Sequence, residues 1–304
     1  MKPLPTPHAF RYALIASLVT ASLLAQSPSS NKSAPKAKAA DAPRISAPPA
    51  SPPSTLKQRV GFTDIEITYA RPGMKGRKIY GGLVAFGEVW RTGANTATKV
   101  TFSTPVKIEG QELPAGSYAL YTIPAQKEWT IIFNKVTGEW GAYSYKQEND
   151  ALRVKVKSVA LAQPVETFTI NINDLRTETA TLDLIWEKTR VPVKLHMDAI
   201  QNVVAQIDAA MASGQKLAPS AYFTAAMFYY EQGLDLNKAR SWIEQATSGD
   251  KPLFYMLHGK AKILAKLGDK AGAIGAARQS IAGADGATKA EYTRLNEALI
   301  ASLQ

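Results

Sequence analysis

The spacing of apolar residues changes once along the chain, and this change constrains the fold more than any other feature. Between Leu56 and about Arg190 the apolar residues recur at every second position, as in Ile65-Glu66-Ile67. Such alternation is typical of half-buried strands, and short strands separated by Gly, Pro and Asn indicate an antiparallel sandwich or barrel. From Val193 onward the spacing becomes three to four residues, the pattern of amphipathic helices. The chain is therefore predicted to be an α+β multidomain protein, with an antiparallel β-sandwich-like domain over residues 56–190 and stacked α-helical hairpins over residues 193–304.

The first 55 residues differ in composition from the rest of the chain. Lys2 and Arg11 frame the start of an apolar stretch from Tyr12 to Leu24, and small residues follow it. This arrangement predicts a secretory signal peptide over residues 1–25, with an uncleaved interfacial anchor as the alternative. Residues 26–55 contain seven Pro, seven Ser and seven Ala, which predicts a disordered linker. We expect an exported protein, periplasmic or extracellular, with no integral membrane segment after cleavage of the signal.

Charge and cysteine content argue against several classes of function. The net charge is +11 at pH 7, but residues 1–55 alone carry six Lys or Arg against one Asp. Because nearly half of the excess positive charge precedes the folded regions, nucleic acid is not an expected partner. The sequence contains no Cys, which excludes disulfides, thiolate catalysis and cysteine-ligated metals.

The helical region contains positions that repeat at a fixed interval. Ala239 and Ala273 are 34 residues apart, and so are Ala246 and Ser280. This interval predicts a degenerate tetratricopeptide-like region, although ordinary antiparallel helices would also place small residues there. Stacked hairpins of this kind form a concave surface that suits a protein partner. The aromatic residues of this region either line such a groove or pack against the β-domain; they are Tyr222, Phe223, Phe228, Tyr229, Tyr230, Trp242, Phe254 and Tyr255.

Several long blocks of the β-rich region occur in the order found in one known family. The blocks are YARP (69–72), KGRKIYGGLV (75–84), GEVWRTGAN (87–95), LPAGSYAL (113–120), EWTIIFN (128–134) and DALR (150–153). On these blocks, residues from about 51 to 190 resemble the exported bacterial domains known as domain of unknown function 2911. The resemblance implies export and a β-rich domain. It implies no activity, so no catalytic residue is carried over from it.

The segment from residue 71 to residue 95 has an unusual composition for a loop. It contains six Gly and five basic residues against one acidic residue. Backbone amides exposed by glycine, with guanidinium groups nearby, could hold a carboxylate or phosphate. In the alternative interpretation the Arg and Asn side chains bond the loop's own carbonyls and the tryptophan fills the sandwich. The candidate ligand-binding residues of this segment are Arg71, Lys75, Arg77, Glu88, Trp90, Arg91 and Asn95.

Tryptophans of the β-rich region suggest a second kind of site. Trp129 and Trp186 share the phase of apolar strand residues and are predicted to be core, whereas Trp140 precedes Gly141 in a predicted turn. An exposed Trp140 could stack on a sugar ring, so a carbohydrate-binding module is the alternative function. This residue completes the set of candidate ligand-binding positions.

Catalytic motifs are weak in this sequence. His196 and His258 lie in the helical region at no metal-ligand spacing, and no nucleophile elbow or phosphate-binding loop is present. A hydrolase with paired carboxylates drawn from Glu88, Glu128, Glu139, Asp150 and Asp183 is the less favoured alternative. We therefore expect a non-enzymatic binding protein without a metal or cofactor, in which the helices engage a protein partner and the 71–95 loop holds a small anion.

Overall fold

Two antiparallel sheets make up the first part of this computed structural model, which describes residues 47–304. One sheet has six strands in the order β1-β2-β3-β6-β7-β8, and the other has four in the order β5-β4-β10-β9. The strands are β1 (Pro53–Val60), β2 (Thr63–Ala70), β3 (Thr98–Phe102), β4 (Val106–Ile108), β5 (Gln111–Leu113), β6 (Gly116–Ile123), β7 (Glu128–Asn134), β8 (Asp150–Lys157), β9 (Val159–Asn173) and β10 (Thr179–His196). We call this part the β-domain.

The two sheets pack face to face over one hydrophobic core. Alternate residues of each strand point inward, as Ile65, Ile67 and Tyr69 do on β2. Trp129 and Trp186 are both buried in this core, as the alternation predicts. The predicted sandwich-like domain is therefore confirmed. The six-stranded sheet also has an outer face, defined here as the face turned away from this core.

Six helices form the second part, which we call the helical stack. They are α1 (Ala199–Ala212), α2 (Pro219–Glu231), α3 (Leu236–Ala246), α4 (Phe254–Lys266), α5 (Lys270–Gly283) and α6 (Lys289–Leu303). Helices α2 and α3 pack as one pair, α4 and α5 as another, and α6 packs on α5. The side chains of Asp235 and Asp269 cap α3 and α5 from equivalent positions 34 residues apart. Ala239 and Ala273 are both fully buried, which lets the paired helices approach closely.

The helical stack follows β10 directly, and polar contacts hold the junction. Lys107 Nζ on β4 lies 2.9 Å from Asp198 Oδ1, just before α1. Glu178 accepts a hydrogen bond from the Ile200 amide at 3.0 Å and lies 3.1 Å from His196 Nε2. These contacts fix the first turn of α1 against the end of the β-domain.

The boundaries differ from the predicted ones at both ends of the β-domain. Strand β1 begins at Pro53, inside the predicted linker, because it pairs along its whole length with β2. Strand β10 continues to His196, past residue 190, because its last residues pair with β4. The predicted signal peptide and residues 26–46 of the predicted linker lie outside the described residues. Between residues 47 and 304 no helix is long and apolar enough to cross a membrane.

Candidate functional site

The start of the basic loop joins the two sheets. The Arg71 side chain donates from Nε to the Phe168 carbonyl at 3.1 Å and from Nη2 to Thr169 Oγ1 at 2.8 Å. The Phe168 amide in turn donates to the Pro72 carbonyl at 2.9 Å. The loop thus lies along the edge of β9, and its first arginine is used inside the domain. Arg77 also bonds its own loop, donating to the carbonyls of residues 73 and 74.

The tryptophan of the same loop belongs to the core. Trp90 is only 8% exposed, and its ring stacks on Trp186 with the centroids 6.0 Å apart. Its indole nitrogen donates to the Gly93 carbonyl at 3.2 Å. This placement matches the interpretation in which the tryptophan fills the sandwich.

The remaining charged candidates of the loop do not form one cluster with these residues. Lys75 and Glu88 are exposed, and the Lys75 amide donates to Glu166 Oε1. Arg91 is half-buried, and its Nε has no hydrogen-bond partner among residues 47–304. The structure therefore does not bring the seven candidates of the loop together around one ligand position.

Two candidates from distant parts of the sequence do meet. The Ala97 amide donates to the Glu139 carbonyl at 2.9 Å, and the Gly141 amide donates to the Asn95 carbonyl at 3.0 Å. This short ladder places Thr96 directly opposite Trp140. Opposite residues of an antiparallel pair project to the same face. The side chains of Thr96 and Trp140 therefore project to the same side of the ladder, and Trp140 is 64% exposed. Asn95 precedes Thr96 and meets the Trp140 segment through its backbone carbonyl.

An open groove of about 700 Å³ lies beside this ladder, on the outer face of β1, β2 and β3. Its volume is within the range of small-molecule sites, about 300–1,000 Å³. Among the described residues that line it, Lys99 alone is charged. The polar lining side chains are Ser51, Ser54, Thr55, Thr68, Asn95 and Thr96, and the rest are mainly Pro, Ala and Gly. The groove therefore offers hydroxyl and amide groups between small apolar surfaces.

Strand register arranges the outer face in rows that cross β1, β2 and β3. Thr55 lies opposite Thr68, and Thr68 lies opposite Lys99, which together form the floor of the groove. In the next row Lys57 pairs with Glu66 at 2.8 Å. This hydrogen bond raises the pKa of Lys57 and lowers that of Glu66, so the pair stays charged over a wide pH range.

A row further on, Arg59 and Asp64 make two hydrogen bonds of 2.7 Å each. These bonds to Arg59 lower the pKa of Asp64, so this second pair also stays charged. Both pairs are exposed, and each is electrically neutral as a unit.

A polar cluster supports the loop that carries Trp140. Asp150 accepts hydrogen bonds from Asn134 Nδ2 at 2.9 Å and from the Tyr145 hydroxyl at 2.7 Å. The Asn134 side chain also accepts from the Val136 amide at 2.9 Å. Burial, followed by the hydrogen bond to Asp150, raises the pKa of Tyr145 to about 12. The loop is therefore tied at both of its ends.

Three of the groups considered for catalysis, Asp150, Asp183 and His258, make other contacts. Asp150 is held by the support cluster, and His258 Nδ1 lies 2.8 Å from the side-chain oxygen of Asn296 in the helical stack. The buried Asp183 lies 2.9 Å from Arg190 Nε. In the part of the chain that the structure describes, no three His, Asp or Glu side chains are grouped to hold a metal ion.

Sequence reasoning missed the floor of the groove. Thr55, Thr68 and Lys99 occupy the polar positions of alternating strands. The alternation was used only to predict which residues point inward. The same alternation identifies the outward residues of each strand. It does not say which strands are neighbours, so the row that these three residues form depends on the register of the folded sheet.

Comparison with known proteins gives one match. The family model described as protein of unknown function (DUF2911) matches residues 51–195. No curated protein and no solved structure matches the chain. The matched range covers β1 to β9 and nearly all of β10, and it includes the groove and the basic loop. The β-domain of this chain therefore belongs to the DUF2911 family.

Proposed function

We propose that the chain is an exported, non-enzymatic binding protein whose β-domain binds carbohydrate in the groove on its outer face. The observation that carries the proposal is the position of Trp140 beside the groove: Trp140 does not line the groove itself, but its bridge partner Thr96 does. Hydroxyl and amide side chains line the groove, and an indole 64% exposed stands opposite one of them, Thr96. A sugar has an apolar face of C–H groups and a rim of hydroxyls. An amphipathic aromatic ring and a set of small polar groups complement these two parts.

The placement of charge favours a neutral ligand over the small anion that the basic loop suggested. Both Arg71 and Arg77 bond carbonyl groups of the β-domain. Lys99 is the one charged side chain among the described residues that line the groove. A ligand rich in hydroxyls therefore fits this lining better than a phosphate or carboxylate does.

Retention on insoluble polysaccharides tests this proposal. The purified protein is mixed with cellulose, chitin, xylan and peptidoglycan, and the bound fraction is compared with that of Trp140→Ala. We expect retention on at least one glycan and its loss in the variant. Tyr143→Ala is the matched control, because Tyr143 is 88% exposed in the same loop but lies outside the ladder with residues 95–97. No retention on any glycan, or equal retention of Trp140→Ala, would overturn the proposal.

A second candidate function, binding of a protein partner by the helical stack, rests on a different observation. Aromatic rings form a continuous row across helices α2, α4 and α6. Phe223 contacts Tyr255 with centroids 5.2 Å apart, and Phe254 contacts Tyr292 at 4.6 Å. All four rings are only partly buried. Such a row offers a partner a large, rigid apolar surface.

Photo-crosslinking in living cells tests the second candidate. A photoreactive amino acid is placed at Tyr255 in the row, and at the exposed Gln279 on α5 as the control. We expect a discrete protein adduct from position 255 only. Equal adducts from both positions, or none from position 255, would count against this function.

A further inference from the structure

We propose that the ligand is a linear oligosaccharide that lies along β1, β2 and β3 over several sugar rings. This inference rests on the proposed carbohydrate function and extends it. A second depression, of about 410 Å³, lies further along the same strands, and its lining includes Lys57, Glu66, Arg59, Asp64, Thr101 and Ser103. On β1, Thr55, Lys57 and Arg59 are the outward residues that line the two depressions, and they alternate along the strand. Thr68, Glu66 and Asp64 do the same on β2, so both depressions lie on one face of the sheet.

The register shows that the two depressions occupy adjacent rows of the same face. The floor of the first groove contains Thr55, Thr68 and Lys99, and the next outward positions on the three strands are Lys57, Glu66 and Thr101. No strand position on this face separates them.

The length of the face follows from strand geometry. Four outward positions follow one another on β1, from Pro53 to Arg59. Because alternate residues of a strand are about 6.7 Å apart, these rows span about 20 Å. This length is greater than that of a single sugar ring, so a ligand that fills the whole face must be a chain.

The chemistry of the far rows suits a neutral chain. Each of the two ion pairs, Lys57 with Glu66 and Arg59 with Asp64, is exposed and has no net charge. Their free lone pairs and N–H groups can bond ligand hydroxyls, since a carboxylate accepts and an ammonium or guanidinium donates more than one hydrogen bond. In the same row as Lys57, the hydroxyls of Thr101 and Ser117 lie 2.8 Å apart and add further polar groups.

An extended peptide fits this face less well. The backbone groups of β2 and β3 are already used in the ladders on both of their sides. A peptide lying across the face would therefore leave its own amide and carbonyl groups without the backbone partners that strand addition provides. Side chains alone are available on this face, and they match the separate hydroxyls of a glycan.

Calorimetric titration with oligosaccharides of two lengths tests the inference. Cellobiose, cellohexaose, chitobiose and chitohexaose are titrated into the full chain and into two variants. For the glycan that binds, we expect the hexasaccharide to bind about tenfold more tightly than the disaccharide. The double variant Lys57→Ala/Glu66→Ala removes one ion pair without changing net charge. We expect it to keep the disaccharide affinity and lose the gain with length, whereas Trp140→Ala weakens both ligands.

The outcomes separate this inference from the proposed function. Equal affinity for the disaccharide and the hexasaccharide would overturn the inference and leave the carbohydrate function standing. A gain with length that persists in the double variant would also overturn it, because the chain would then extend elsewhere. Failure of all four oligosaccharides to bind, together with no retention on any polysaccharide, would overturn both. Thermal melts of the double variant confirm that it is folded.

Discussion

Replacing Trp140 with alanine is expected to weaken carbohydrate binding about 30-fold. A tryptophan side chain offers up to about 250 Å² of surface. Trp140 is 64% exposed, which corresponds to about 160 Å² that a ligand can cover. A sugar ring stacked on one side of the indole covers about half of this area. At about 25 cal/mol per Å², 80 Å² contributes about 2 kcal/mol, and each 1.4 kcal/mol is tenfold in affinity.

Isothermal titration calorimetry measures this loss with a soluble oligosaccharide of the glycan that retains the protein. The far-UV circular dichroism of Trp140→Ala is recorded alongside, because the variant must be folded at 25 °C for the comparison to hold. Tyr143→Ala is expected to change the affinity less than about threefold, which is about 0.7 kcal/mol. A loss of less than about threefold for Trp140→Ala would refute the stacking argument. Equal losses for both variants would refute the argument from the position opposite Thr96.

Three further outcomes test the structural basis of the account. Arg71→Ala is expected to lower the free energy of unfolding in urea by about 2 kcal/mol, because it removes two hydrogen bonds that join the sheets. Ligand affinity should stay unchanged. Unchanged stability would contradict a role of Arg71 in joining the sheets. Tyr145 has a pKa raised from 10.0 to about 12, so its contribution to stability is complete below pH 10 and is lost as the pH rises to about 12. In Tyr145→Phe the free energy of unfolding in urea should therefore depend less on pH over this range. An unaltered pH dependence would argue against the buried bond to Asp150. Asn296 is fully buried and donates to Ser280 Oγ at 3.0 Å. Asn296→Ala should lower the free energy of unfolding by about 1–3 kcal/mol and speed amide hydrogen exchange in α6, since it leaves buried partners unsatisfied. Unchanged exchange would show that this hydrogen bond does not hold the helix.

Periodicity predicted the two parts of the fold because burial on one side imposes a period on the sequence. Ile65 and Ile67 alternate with polar residues on β2, and Ile207 lies on the apolar stripe of α1. The N-terminal boundary of the β-domain was harder to predict from the sequence. Pro53 and Ser54 read as linker by composition, yet they pair with β2 as an edge strand, where proline is tolerated.

The candidate site was only partly predictable. Trp140 was predicted to lie in a turn, where an exposed indole could stack on a sugar, and in the structure it is 64% exposed. The partners of Arg71 could not be predicted, because Phe168 and Thr169 are 97 and 98 residues away in sequence. The groove depends in the same way on the register that aligns Thr68 with Lys99. Long-range pairing of this kind leaves no signal in local spacing.

A titration followed by ¹H–¹⁵N NMR tests the central claim most directly, that the outer face of β1, β2 and β3 is the ligand-binding surface. The full chain is labelled and titrated with the oligosaccharide that binds in calorimetry. The account predicts shifts of the Trp140 indole signal and of the amides of Thr55, Thr68 and Thr101, with helices α1 to α6 unaffected. Shifts confined to residues 71–91 or to the helical stack, with those four signals unchanged, would contradict it.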